Sequence, residues 1–127
     1  MNLVDSSGWL EFFTAGPNAG FFAPSILKTA DLVVPTVSLY EVFKKVLREL
    51  GEGPALRAIA QMKQGRIIEQ DEALALRAAR LSLKHALPLA DALIYATAQS
   101  HNAILWTQDE HFRKLAGVRY VAKPAKL

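Results

Sequence analysis

The chain contains no cysteine. Disulfides, thiolate nucleophiles and cysteine-ligated zinc are therefore excluded, and the usage fits a cytoplasmic setting. It also lacks an apolar run near the roughly twenty residues that a transmembrane helix needs, so no membrane association is expected. The amino terminus reads MNLVDSSGW, with no basic segment ahead of an apolar one, and does not read as a secretory signal. Histidine is scarce: His85, His101 and His111 show no metal-ligand spacing. Internal repeats, linkers and low-complexity tracts are missing too.

What is present reads as one globular domain over residues 1–127. Of the 127 residues, 51% are hydrophobic and 21% charged, enough for a proper core. The net charge of +3 is compatible with a polyanionic partner but does not by itself argue for one.

Segment 86–98, ALPLADALIYATA, is the stretch around which the rest is read. Only Pro88, Asp91 and Thr97 interrupt its apolar run. Pro88 suits the first turn of a helix. Asp91 then falls just inside that helix, among Ala90, Ala92, Leu93 and Ile94. An ionised carboxylate is costly to bury unless it is paired, hydrogen-bonded or bound to metal. No basic residue stands within four positions of Asp91, so its partner must come from far along the chain.

Strands and helices alternate around this segment. Strands are expected over 2–4, 32–34, 66–69, 103–106 and 118–121. Helices are expected over 9–13, 19–29, from Ser38 onward, 55–64, 72–85 and 110–115, with 123–127 a loose tail. Ser38-Leu39-Tyr40-Glu41 matches a capping box, and Asp71 caps the helix that follows it. Leu56, Ile59, Ala60 and Met62, then Leu74, Leu76, Ala78, Leu81 and Leu83, supply the apolar faces of their helices. Apolar strands without in/out alternation indicate a sheet covered on both faces. The expected fold is α/β: a three-layer α/β/α sandwich with a mostly parallel central sheet of about five strands.

Four carboxylates fall where such a sheet would gather them. Asp5 and Asp109 follow the first and fourth strands; Glu41 and Asp91 stand near helix starts. In a right-handed doubly wound sheet these positions share the edge where strands end, which is where ligands bind. Singly, each has a plainer explanation, such as a helix cap for Asp5. Together they would require four coincidences. Four crowded carboxylates do not all stay ionised without a cation, and hard oxygen ligands favour Mg2+ or Mn2+. An acidic site of this kind is the usual setting for phosphodiester cleavage by metal-activated water. His111, two residues after Asp109, reads as a solvated helix-end histidine, with entry into the site as the alternative. Lys44, Lys45 and Arg48 follow Glu41 at i+3, i+4 and i+7. They read either as a solvated face or as ground where an RNA backbone would lie.

Val4-Asp5-Ser6-Ser7, the helix-starting Glu41, Leu89-Ala90-Asp91-Ala92-Leu93-Ile94 and Thr107-x-Asp109-x-x-Phe112 resemble the signature of PIN-domain ribonucleases. The size and motif order are similar to those of the VapC-type toxins of type II toxin–antitoxin pairs, nearly end to end. By that resemblance Asp5, Glu41, Asp91 and Asp109 would hold Mg2+ or Mn2+, with Ser6 and Thr107 as supporting polar groups. The resemblance further implies cleavage of RNA, often structured RNA such as tRNA, a homodimer, and inhibition by a cognate VapB-type antitoxin. The antitoxin would cover a groove made by the early helices, here including Phe21, Phe22 and the 40–50 segment. Pro24 in the second helix departs from the pattern.

Two other readings are weighed beside it. A catalytically silent PIN-like module would bind RNA or protein without cleaving, and would be expected to have lost carboxylates. A Mg2+-dependent phosphoryl-transfer domain would also place an Asp after the first strand. A phosphatase of that kind needs a second Asp at position 7, which is Ser7; a receiver domain needs an Asp after the third strand and a Lys after the last ones.

Overall fold

The computed structural model describes residues 1–125. Of the expected tail, Lys126 and Leu127 lie outside the described residues. Five strands form one parallel sheet: β1 (Asn2–Val4), β2 (Leu32–Pro35), β3 (Arg66–Ile68), β4 (Ile104–Thr107) and β5 (Val118–Tyr120), in the spatial order β3-β2-β1-β4-β5. The helices are α1 (Ser6–Phe13), α2 (Ala19–Leu27), α3 (Thr36–Leu50), α4 (Glu52–Met62), α5 (Glu72–His85) and α6 (Leu89–Ser100). Among the described residues no helix is long and apolar enough to cross a membrane.

The central strand is β1. It pairs Leu3 with Val33 of β2 on one side and with Leu105 of β4 on the other. The chain thus leaves β1 in one direction and later fills its other flank, so strand order reverses between β1 and β4. In open α/β sheets that reversal opens a crevice beyond the strand ends.

Successive strand residues point to opposite faces, and both faces are covered. Leu3, Val33 and Leu105 pack with Leu74, Ala78 and Leu81 of α5 and Ala92 to Ala98 of α6. Val4, Leu32 and Val34 pack with Trp9, Phe22, Ile26, Val42, Ala58 and Met62 from α1 to α4. Full burial of a Leu, Ile or Phe contributes about 1.5–3 kcal/mol, so the strand positions that face the helices are filled mostly by apolar residues. That is why the strands read as continuous apolar runs, and the three-layer expectation holds.

Several details differ from expectation. Leu76 and Leu83 of α5 are 61% and 90% exposed, because α5 meets α6 along the narrower stripe Leu74–Ala78–Leu81. Leu56 is likewise exposed, and α4 turns Ala55, Ala58 and Met62 inward. No capping box forms at Ser38. Strand β2 runs straight into α3 with Pro35 as its N-cap, which places Ser38 inside the helix, buried, its hydroxyl unpartnered. Pro88 is the N-cap of α6 rather than a residue of its first turn. The 110–115 helix is a single 3-10 turn, Glu110–Phe112.

Candidate metal centre

Asp5 is positioned by both elements it joins. Its backbone N–H donates to Trp106 O at 3.1 Å, extending the β1–β4 pairing. Its side chain caps α1, with Oδ1 accepting from Gly8 N at 3.0 Å and from Ser7 Oγ at 2.7 Å. Oδ2 accepts from Thr107 Oγ1 at 2.6 Å. Gly8 is what lets α1 sit so close: a Cβ there would come within 2.6 Å of Phe22 and Val4. The carboxyl is 2% exposed. Burial raises its pKa from 3.8 to about 6, against the lowering effect of the three hydrogen bonds and with Asp109 adding to the rise. One side chain thus caps α1 and, through Thr107, faces the end of β4 where Asp109 follows.

Thr107 ends β4 and also accepts from Asp109 N at 2.9 Å. Asp109 caps the following 3-10 turn, its Oδ1 accepting from His111 N at 2.9 Å. Phe112, fully buried beside Tyr95, pins that turn to the core.

Asp91 is the third residue of α6, and its side chain is 15% exposed. Its remote partner is His111, whose Nδ1 stands 2.7 Å from Asp91 Oδ2 and 3.3 Å from Asp109 Oδ1. Burial raises the Asp91 pKa, the Asp109 charge adds to it, His111 opposes it, and Glu41 raises it further. The His111 pKa is raised, first by its hydrogen bond to Asp91 and then by Asp109. Asp91, Asp109 and His111 each offer a ligand atom, and the three atoms lie within 4.8 Å of one another.

Glu41, on α3, accepts from Ser6 Oγ at 2.6 Å. The structure thus brings Asp91 and Asp109 directly together. Asp5 joins them through Thr107 and within the field of Asp109, and Glu41 acts on Asp91 through its charge. Ser6 and Thr107 each hold a carboxylate.

His111 corrects the solvated-helix-end reading: it is half exposed, yet its ring lies against two of the carboxylates. Its own N–H bonds the Asp109 side chain, so Asp-x-His after a strand was the signal. Ser7 was missed as an Asp5 donor; the Ser6-Ser7 doublet after Asp5 was the clue. Gln108 was missed as well. It is buried, accepts from Asn18 Nδ2 at 3.0 Å and donates to Ser7 O at 3.4 Å, bracing the backbone beside Asp5.

The basic residues of α3 are exposed, and Lys45 stands at the rim of a cavity. Lys45 lies 3.1 Å and Arg48 3.9 Å from Glu49, and Lys44 Nζ lies 5.5 Å from the centre of the Tyr40 ring. This cavity, of about 560 Å3, opens between α1, α3 and α4, with Leu10, Phe13, Val46, Leu50 and Ala58 on its apolar wall, Glu11, Lys45, Glu49 and Arg57 among its charged lining, and Ser7 and Gln108 within its reach. Phe21 and Phe22 are not part of it. Phe22 is wholly buried, and Phe21 packs edge-on against Phe22 and Trp106.

These donors fit a divalent cation. Two carboxylates and an imidazole converge within ligand range, and beside them burial has raised the pKa of the Asp5 carboxyl to about 6, with the Asp109 charge adding to the rise.

Comparison with known proteins bears on the family and the fold. The family model described as PIN domain matches residues 3–118. Among curated proteins no relative matches the chain. Among solved structures, the chain is similar to one in a toxin–antitoxin complex from Klebsiella pneumoniae, with a TM-score of 0.81 and 22% identity over 94% of this chain and 96% of that one. It is similar to Mycobacterium tuberculosis VapC20, described as a sarcin-ricin loop cleaving toxin, with a TM-score of 0.77 and 18% identity over 91% and 95% of the two chains. A chain of DNA-bound VapBC from Salmonella typhimurium matches with a TM-score of 0.73 and 14% identity over 96% and 98%.

Proposed function

Since the chain belongs to the PIN-domain family, we propose that it is a VapC-type toxin: a Mg2+- or Mn2+-dependent endoribonuclease restrained by a cognate VapB-type antitoxin. The observation that carries the reading is the convergence of Asp91 and Asp109 at the crevice beyond β1 and β4, with Asp5 and Glu41 in electrostatic contact.

Asp91 and Asp109 would hold the ion, with Asp5 and Glu41 completing the acidic quartet. A divalent cation in such a site lowers the pKa of water and offsets the charge that grows on a scissile phosphate. The chain's own residues do the rest. Thr107, Ser7 and Gly8 N fix both oxygens of Asp5, so the innermost carboxylate keeps one orientation. Ser6 fixes Glu41 Oε1, aligning a carboxylate able to take the proton of an attacking water. Lys44, Lys45 and Arg48 lie on the same helix as Glu41, exposed, and serve as the candidate contacts to RNA backbone.

The solved toxin–antitoxin complexes support an antitoxin partner. The cavity between α1, α3 and α4 is apolar enough to take its docking segment and reaches the residues flanking Asp5. On this reading residues 1–127 are one PIN domain, acting as a homodimer in the cytoplasm.

The test is mapping of cleavage sites on total cellular RNA, with Mg2+ or Mn2+ against EDTA, for the wild type beside Asp91→Asn. Metal-dependent cuts at a few sites, absent from the variant, establish the activity and identify its substrate. RNA binding without cleavage, by folded and antitoxin-free protein, would favour a silent binding module. Cuts that persist in the variant would point to a contaminant.

A further inference from the structure

We propose that His111 is a nitrogen ligand to the divalent ion held by Asp91 and Asp109, and that it biases the site toward Mn2+ over Mg2+. The inference rests on the metal-dependent reading above and adds a ligand to its acidic quartet. Ligands roughly 2.1 Å from a small divalent ion, set at right angles, lie about 3 Å apart. Nδ1 of His111 is 2.7 Å from Asp91 Oδ2 and 3.3 Å from Asp109 Oδ1, the spacing of adjacent ligands around one ion.

The ring is held there by its own hydrogen bond to Asp91 and by its backbone rather than by packing. His111 N donates to Asp109 Oδ1 at 2.9 Å, and the next residue, Phe112, is fully buried. The His111 side chain itself is 55% exposed, so filling the core does not explain its orientation. At 2.7 Å Nδ1–H donates to Asp91 Oδ2; an ion bound between them would replace that proton and take the Nδ1 lone pair, with the ring's remaining proton on Nε2. Mg2+ takes oxygen ligands and keeps its waters, whereas Mn2+, also at home among carboxylates, is a first-row transition ion that accepts an imidazole nitrogen more readily than Mg2+ does. One nitrogen in the set therefore raises affinity for Mn2+ more than for Mg2+.

Mn2+ alone is the probe. Pulsed electron paramagnetic resonance of Mn2+ on the wild-type protein is expected to show a directly coupled nitrogen that changes isotope when histidine is 15N-labelled. His111→Gln is expected to remove that coupling and weaken Mn2+ binding about tenfold, with Mg2+ affinity changed less than about twofold. Mn2+ that binds the wild type, and is lost in Asp91→Asn, but shows no histidine coupling would overturn the inference and leave the metal-dependent reading standing. Equal or tighter Mn2+ binding by His111→Gln would overturn it too, since the ring would then merely stand where the ion goes. Failure of the wild type to bind either ion would overturn both. The labelled wild type decides the question even if the variant does not fold.

Discussion

The Thr107 hydroxyl donates to Asp5 Oδ2 at 2.6 Å while accepting from Asp109 N at 2.9 Å, so one side chain ties the end of β1 to the end of β4. Thr107→Val keeps the shape and removes both bonds, leaving a buried carboxyl short of a donor. The expected cost is about 1–3 kcal/mol in urea unfolding, with a large loss of RNA cleavage as Asp5 and Asp109 lose their common tether. Thr107→Ser retains the hydroxyl and is expected to keep most of both. Equal stability for the Val and Ser variants would show that the bond carries nothing.

Asp5 makes the metal-free protein less stable as pH rises. The unfolded chain releases this proton near 3.8, the folded chain at about 6. Below 3.8 both states are protonated and the burial is not penalised. Between the two values the folded state holds a proton that the unfolded state has lost, so stability falls with rising pH. The total is on the order of 3 kcal/mol, complete above pH 6. Asp5→Asn removes the ionisation. In EDTA at pH 7.5 the variant is expected to unfold at higher urea than the wild type, with the gap closing near pH 4, and to cleave no RNA. A variant less stable than the wild type at pH 7.5 contradicts this account.

Asp5 and Asp109 were placed correctly because each follows an apolar strand, and the apolar runs announced a parallel sheet; Glu41, expected near a helix start, stands in the second turn of α3, which begins at Thr36. Asp91 was legible for a different reason, as a charge with no local partner in an apolar helix. His111 was not, because a half-exposed histidine in a polar turn carries no hydrophobic pattern. Its role comes from a backbone bond to Asp109 that only the folded turn reveals. Leu76 and Leu83 misled in the opposite sense. Helical periodicity marks the apolar residues of α5, but how wide a stripe α6 covers depends on how the two helices cross. The place of the cavity was hidden likewise, since Phe22 and Leu10 differ little in composition and only packing sends one inside.

Phe112 links the core to the site. It is fully buried, lies beside Tyr95, and follows His111 in the turn that Asp109 caps. Phe112→Ala is expected to cost about 3–5 kcal/mol. The freed turn should also weaken Mn2+ binding in protein that remains folded. Phe112→Leu refills part of the volume and is expected to recover most of the stability. Unchanged Mn2+ affinity in folded Phe112→Ala would mean that the turn holds its shape without this anchor.

The exposed cations of α3 separate a solvated face from an RNA contact. Lys45 and Arg48 already face Glu49, and pairs this exposed contribute little to stability. Replacing Lys44, Lys45 and Arg48 together by Gln should therefore leave the urea midpoint nearly unchanged. If they touch phosphates, each neutralised contact releases counterions. The slope of log affinity against log salt on single-stranded RNA should then flatten by about 0.7 per contact, or about 2 for all three. The measurement is RNA binding by the Asp91→Asn protein, with and without the triple replacement, across a salt series. An unchanged slope assigns the stripe to solvent and moves the search for backbone contacts to other basic surfaces, such as Arg113 and Arg119 beside the last strand.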